Sequence, residues 1–307
     1  MATLLLVAAS CGSRQQVVDQ DRPVAYLAAY MKGDDEKSMY YALSQDRFNF
    51  EPLNDGKPVL TATMDDGLLR DPMILKDRSG VYHLVATVSW KNRPFTMWDS
   101  RDLLTWEGER LVDVAPEGAS KTWAPEMAYD EENDLYMVYW TAELHDDWST
   151  AAIYYATTSD FSHFSAPKLL YSDDEGILDA NILKVDSLYH LVYRKNGIWE
   201  VTSPSAQGPY THPRQVTTEN VEGPFAFPLN DGTGYAMVWD YFGRSLGYGL
   251  CTSADFGEWK RLTNEQYPFY NDSVSFPEGI RHGSIIGITQ DEVDRLLQKY
   301  GKDKKKQ

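Results

Sequence analysis

Four carboxylates stand at the heads of four similar phrases along the chain. They are Asp71 in Arg70-Asp71-Pro72-Met73-Ile74-Leu75, Glu126 in Pro125-Glu126-Met127-Ala128-Tyr129, Asp179 in Asp179-Ala180-Asn181-Ile182-Leu183, and Glu222 in Glu222-Gly223-Pro224-Phe225-Ala226. His282 takes a comparable place late in the chain, just ahead of Ser284-Ile285-Ile286-Gly287-Ile288. Taken singly, each acid reads as a solvated turn residue or a cap. A shared place in a repeated phrase is a different matter. If the phrases are equivalent strands of one fold, their heads converge, and crowded carboxylates must be neutralised or shifted in pKa. Such a group suits acid–base cleavage of a glycosidic bond. One carboxylic acid protonates the leaving oxygen while a carboxylate on the opposite face activates water, which is the inverting arrangement. A third acidic group beside the acid raises its pKa by like-charge repulsion and keeps it protonated near neutral pH.

The elements that would position these heads also repeat. Each phrase leads into an alternating strand and a Tyr-rich partner: Tyr82-His83-Leu84-Val85, Tyr136-Met137-Val138-Tyr139, Tyr189-His190-Leu191-Val192 and Tyr235-Ala236-Met237-Val238. Ser79-Gly80 and Asn230-Asp231-Gly232 mark tight hairpins between them. A second motif, a small residue and Asp with an aromatic four places on, occurs at Asp46/Phe50, Ser100-Asp102/Trp106, Ser159-Asp160/Phe164 and Ser253-Asp255/Trp259. A degraded copy runs from Ser203 to Tyr210 with Ala206 in the Asp place. Five copies at intervals of roughly 46 to 58 residues match four-stranded propeller blades. The expected fold is therefore all-β: a single five-bladed β-propeller over residues 24–300, with a leader at 1–23 and a basic tail at 301–307. Its last blade would join the strand near 284–288 to N-terminal strands from 24 to 60, closing the ring. A short C-terminal helix follows, with a capping box at Thr289 and Glu292, a stop at Gly301, and Val293, Leu296 and Leu297 packed on the ring.

Composition narrows the remaining choices. With 307 residues, 42% of them hydrophobic, the chain can bury a large core. A net charge of -17 repels phosphate backbones, which argues against a nucleic-acid partner. Six His without ligand spacing and two Cys do not make a zinc site. There is no phosphate-binding Gly loop and no Gly-x-Ser-x-Gly elbow, and nothing calls for an organic cofactor. The 9 Trp and 20 Tyr suit a protein that stacks sugar rings, though they suit any large β-protein nearly as well.

The N-terminus has its own pattern. An apolar run from Thr3 to Ser10 ends in small residues and meets Cys11-Gly12-Ser13, which resembles a bacterial lipoprotein signal. No Lys or Arg precedes the run, which implies a start further upstream. Export follows as the expectation, to the periplasm or cell surface, with membrane contact only through a lipid on Cys11. A lipidated Cys11 leaves Cys251 without an intrachain disulfide partner.

Taken together, these phrases resemble glycoside hydrolase family 43. The match spans about residues 24 to 297 and includes Leu53-Asn54-Asp55-Gly56-Lys57-Pro58, Arg70-Asp71-Pro72, Trp98-Asp99-Ser100, Thr122-Trp123-Ala124-Pro125-Glu126, Leu178-Asp179, Val221-Glu222-Gly223-Pro224 and Arg281-His282-Gly283-Ser284. The resemblance implies an inverting glycosidase, exo-acting, with Asp71 as general base, Asp179 as modulator of the acid and Glu222 as general acid. It implies a pocket wall at Glu126, a sugar-stacking face at Trp123, and a bridging role for Arg281. His282 would face the channel axis, beside a structural calcium ion or water. The partner would be a plant-type oligo- or polysaccharide. α-L-arabinofuranose leads on family frequency alone, ahead of β-xylosides and β-galactosides. A carbohydrate-binding propeller without turnover is the alternative from another class. Fructan hydrolases share the five-bladed plan, but their Asn-Asp-Pro phrase is missing here.

Overall fold

Short apolar–polar alternations bounded by turn residues make strands nearly throughout the chain. The computed structural model describes residues 22–64, 66–242, 247–263 and 273–301. Cys11, the apolar run before it and the lysines after Gly301 lie outside these residues.

The strands form five antiparallel sheets, the blades of a propeller. Blade I runs outward from Arg70–Lys76 through Tyr82–Thr87 and Phe95–Ser100 to Glu107–Val112. Blade II begins at Ala119–Asp130, blade III at Leu178–Val185 and blade IV at Glu222–Pro228, each with three further strands outside. Blade V uses both ends of the chain. Ile280–Ile288 is innermost and pairs with Ala25–Lys32, from Ala25 opposite Ile288 to Lys32 opposite Ile280. Asp35–Ser44 follows, and the short strands Glu51–Pro52 and Leu60–Thr61 both pair with it. The ring thus closes as expected, with the two chain ends zipped together by backbone hydrogen bonds.

The Asp-to-aromatic repeat proves to be the turn between the third and fourth strands. In blade I the Ser100 hydroxyl accepts from the Leu103 N–H at 3.0 Å, and Asp102 Oδ1 accepts from Leu104 and Thr105 at 2.8 and 2.9 Å. Blade II repeats this with Thr158, Asp160, Ser162 and His163. The hydroxyl there belongs to Thr158, one residue before the Ser159 that the sequence reading aligned. These turns hold Leu103, Phe161 and Phe256 at positive φ and press their side chains into the core. His83 stacks on Phe161 at 3.7 Å while contacting Asp99 at 2.6 Å, and Arg110 joins Asp99 to the Phe161 carbonyl. His190, Glu200, Arg214 and Phe256 build the same clamp between blades III and IV. Two of the histidines therefore serve the joints between blades.

The C-terminal helix spans Gln290–Tyr300 and has the expected capping box between Thr289 and Glu292. Its buried stripe is Val293, Leu296 and Tyr300, while Leu297 is exposed. Glu292 is buried as well, so at 100° per residue the stripe is centred on the 292/296 side of Val293 and leaves Leu297 at its solvent edge, which corrects the expectation for Leu297.

Candidate active site

The inner strands share a local defect at their heads. Arg70 pairs with Thr87, Trp123 with Thr141, Leu178 with Arg194 and Glu222 with Asp240. The next paired residues are Met73, Glu126, Asn181 and Phe225, so two residues between lie out of register in each blade. The first of the two takes a positive φ: Asp71 54°, Ala124 46°, Asp179 54° and Gly223 58°. The second is Pro72, Pro125, Ala180 or Pro224. Proline has no N–H to contribute to a ladder, so it fits where pairing has already lapsed. A bulge of this kind bends the strand and re-aims one side chain, here toward the ring axis.

This register separates the four acids. Asp71 and Asp179 are equivalent, Glu222 stands one place earlier, and Glu126 two places later than the bulge residue of its own strand. The near-identity of place expected from sequence therefore holds only for the two aspartates.

His282 gathers those two. Its Nδ1 lies 3.1 Å from Asp71 Oδ1 and 3.9 Å from Asp179 Oδ1, and all three side chains are buried. Burial disfavours the imidazolium, yet Asp179 and Asp71 outweigh it and push the His282 pKa up to about 10. Burial likewise works to raise Asp71, but the charge and hydrogen bond of His282, helped by Arg70 and Thr87, hold its carboxyl well below the usual range. The Thr87 hydroxyl donates to Asp71 Oδ2 at 2.7 Å. Asp179 moves the other way: burial and the nearby Asp71 and Asp240 raise it against the pull of His282. Its Oδ2 accepts the Gly223 N–H at 2.9 Å.

Glu222 sits in a different field. Burial, then the charges of Asp179 and Asp240, push its pKa up to about 8, and Arg194 and Arg281 only partly offset them. Arg281 Nη2 is 3.6 Å from Glu222 Oε2, too long for a direct hydrogen bond, while its Nε donates to Asp240 Oδ2 at 2.7 Å. Asp240 also accepts the His282 backbone N–H at 2.8 Å. The site thus carries one carboxyl held ionised and another held protonated at neutral pH.

These groups line a pocket of about 320 Å³ at the strand heads. Asp71, Asp179, Glu222, Arg281, His282 and Trp123 all face it. Glu126 does not. It is 3% exposed and lies deeper in the ring, where Oε2 accepts from Tyr139 at 3.0 Å and Asn181 at 2.8 Å. Burial pushes its carboxyl up to about 8. Two residues past a bulge, its side chain follows the strand inward and not toward the mouth.

Several lining residues had no role in the sequence reading. Glu36 arrives from blade V, makes an ion pair with Arg70 and accepts from Trp90 Nε1 at 3.2 Å. Trp90 packs edge-on against Trp123 at 5.9 Å under the Arg70 guanidinium. Asp240, fully buried behind Arg281 and His282 and not on the pocket wall, had one legible signal: an acid closing the apolar run Ala236-Met237-Val238-Trp239 must be buried and paired. Among the described residues, no three His, Cys, Asp or Glu side chains are placed to ligate a metal directly.

Comparison with known proteins agrees with this architecture. Residues 21–294 match the family model described as "Probable glycosyl hydrolase domain", which is related to glycosyl hydrolase family 43. An α-L-arabinofuranosidase of Bifidobacterium longum subsp. longum is 22% identical, over 80% of this chain and 31% of its own length. The chain thus spans about a third of that curated relative. Two solved structures share the fold: an α-L-arabinofuranosidase from Lactobacillus brevis (TM-score 0.56, 17% identity, 73% of this chain and 80% of that one) and the catalytic domain of the Coprinopsis cinerea GH62 α-L-arabinofuranosidase (TM-score 0.56, 16% identity, 75% and 78%).

Proposed function

The chain belongs to this family of glycosyl hydrolase domains related to family 43, and we propose that it hydrolyses glycosides by single displacement with inversion, releasing α-L-arabinofuranose from plant-type oligo- or polysaccharides. The observation that carries the reading is the opposite treatment of two carboxyls on one pocket. Asp71 is held ionised by His282, and Glu222 is held protonated by burial and by Asp179. Environments that push two pKa values apart separate the base from the acid.

In the proposed reaction, a water on one face of the sugar attacks the anomeric carbon as Asp71 takes its proton. The bond to the leaving oxygen breaks while Glu222 delivers its proton to that oxygen. Asp71 ends protonated and Glu222 ionised, and proton exchange with solvent restores both. Asp179 acts through its charge, keeping Glu222 from ionising early. The imidazolium of His282 stabilises the pair of aspartates, and Trp123 and Trp90 offer apolar faces to the ring. The arabinose assignment rests on the names of the relatives, with Cys11 lipidation and export as its proposed cellular setting. A screen of nitrophenyl α-L-arabinofuranoside, β-D-xyloside and β-D-galactoside, followed by arabinan and arabinoxylan, tests it. Proton NMR of the first-formed sugar should show the inverted anomer. Retention would require a covalent intermediate and would overturn the mechanism.

A further inference from the structure

Blade II is taller than its neighbours. Its three inner strands run 12, 10 and 12 residues, whereas those of blade I run 7, 6 and 6. The extra length lies on the pocket side, because Ala119–Trp123 all precede the bulge residue Ala124 while Arg70 alone precedes Asp71 in its strand. At ~3.3 Å per residue, such an extension lifts a wall on the order of 10 Å above the rim. Its tip turns between Leu144 and Asp147 and carries Trp148.

Trp148 is 39% exposed and does not line the pocket, yet its ring lies 6.3 Å from that of Trp123, which does. The two planes differ by 37°, so the aromatic surface continues from the pocket onto the wall with a shallow bend. Gly176 seats it: a Cβ there would come within 2.3 Å of the Trp148 carbonyl oxygen and 2.6 Å of Nε1. One edge of the indole is pinned against bare backbone while much of the rest remains open to solvent. Trp148 extends the aromatic run of Trp90 and Trp123 out of the pocket, and binding sites for organic ligands are lined by such aromatic groups. A flat aromatic face is the surface that sugar rings stack on.

We propose that Trp148 is the stacking platform for the sugar unit next to the cleaved bond, on the leaving-group side. The inference rests on the hydrolase reading above. The pocket ends at the buried aspartates and His282, so a terminal ring fills it, and whatever lies against Trp148 is the part of the substrate that remains outside. The wall therefore selects oligosaccharides over simple glycosides.

The test compares wild type, Trp148→Ala, Trp148→Phe and Gly176→Ala on α-1,5-linked L-arabinotriose, an arabinose-bearing xylotriose and methyl α-L-arabinofuranoside. Trp148→Ala should raise KM for an oligosaccharide about tenfold, with kcat and the methyl glycoside changed less than about twofold. Trp148→Phe should fall between, and Gly176→Ala should resemble Trp148→Ala, since it unseats the same ring. Equal losses on all substrates, or an unchanged KM for both oligosaccharides, would overturn the platform. If wild type cleaves none of them, the hydrolase reading fails separately, and tryptophan-fluorescence titration with the same trisaccharides decides the platform. Binding that Trp148→Ala weakens about tenfold sustains it; no binding, or binding indifferent to Trp148, ends it.

Discussion

Replacing Asp179 with Asn tests the proposed division of labour most directly, because it removes a charge and keeps a shape. The amide oxygen of Asn can still accept the Gly223 N–H that Asp179 Oδ2 now accepts at 2.9 Å. Glu222 is the residue next to Gly223, so the two acids are close neighbours. A unit charge about 6 Å away, in surroundings with an effective dielectric of about 20, is worth about 3 kcal/mol, or about two pH units. The imidazolium of His282 cancels part of this, which leaves an expected effect of about one unit. Glu222 must be protonated to act, so activity is lost as pH rises through its pKa of about 8. Without the Asp179 charge it ionises sooner, and the basic limb of kcat/KM should move down by about one unit. The measurement is kcat/KM against pH for an aryl glycoside with a poor leaving group, beside a dinitrophenyl glycoside that needs no proton. Only the first profile should move. A limb that stays near pH 8 or moves up, or a shift shared by both substrates, would refute the coupling between Asp179 and Glu222.

Other consequences are open to measurement. Asp71→Asn should lower kcat about 100- to 10,000-fold on every substrate, because water stays unactivated whatever leaves. Glu222→Gln should lose a comparable factor on poor leaving groups and much less on dinitrophenyl glycosides, as rate assays on both would show. Because Asp71 is held well below the ordinary carboxylate range, wild-type kcat/KM should have no acidic limb between about pH 4 and pH 7. Phe161→Ala empties the joint that His83 covers between blades I and II; calorimetry should register a loss of about 3–5 kcal/mol. Intact mass of membrane-extracted protein should show a lipid on Cys11, and an unmodified Cys11 in the cytosolic fraction would end the anchor proposal.

Much of the architecture is local and was therefore legible in one dimension. The Asp102 and Asp160 turns are made by side chains bonding their own backbone two or three residues on, so a short phrase specifies each. Period-two alternation identifies the strands, and five recurrences of the turn number the blades. Asp-Pro, Ala-Pro and Gly-Pro at the strand heads also spell out the bulges, since one residue must tolerate positive φ and the next must do without an N–H. Which way an acid points is not local. Glu126 and Glu222 head similar phrases, but a shift of one or two residues about a bulge sends one into the ring and leaves the other at the pocket. The ionisation of Asp71, Asp179 and Glu222 depends on one another, on Asp240 of blade IV, and on Arg281 and His282 of blade V, and these groups from four blades meet only when the ring closes. Glu36 and Trp148 reach the site from a different blade and from an overhanging wall. Neither carries a motif, because their places are decided by the heights of neighbouring sheets and not by the residues beside them.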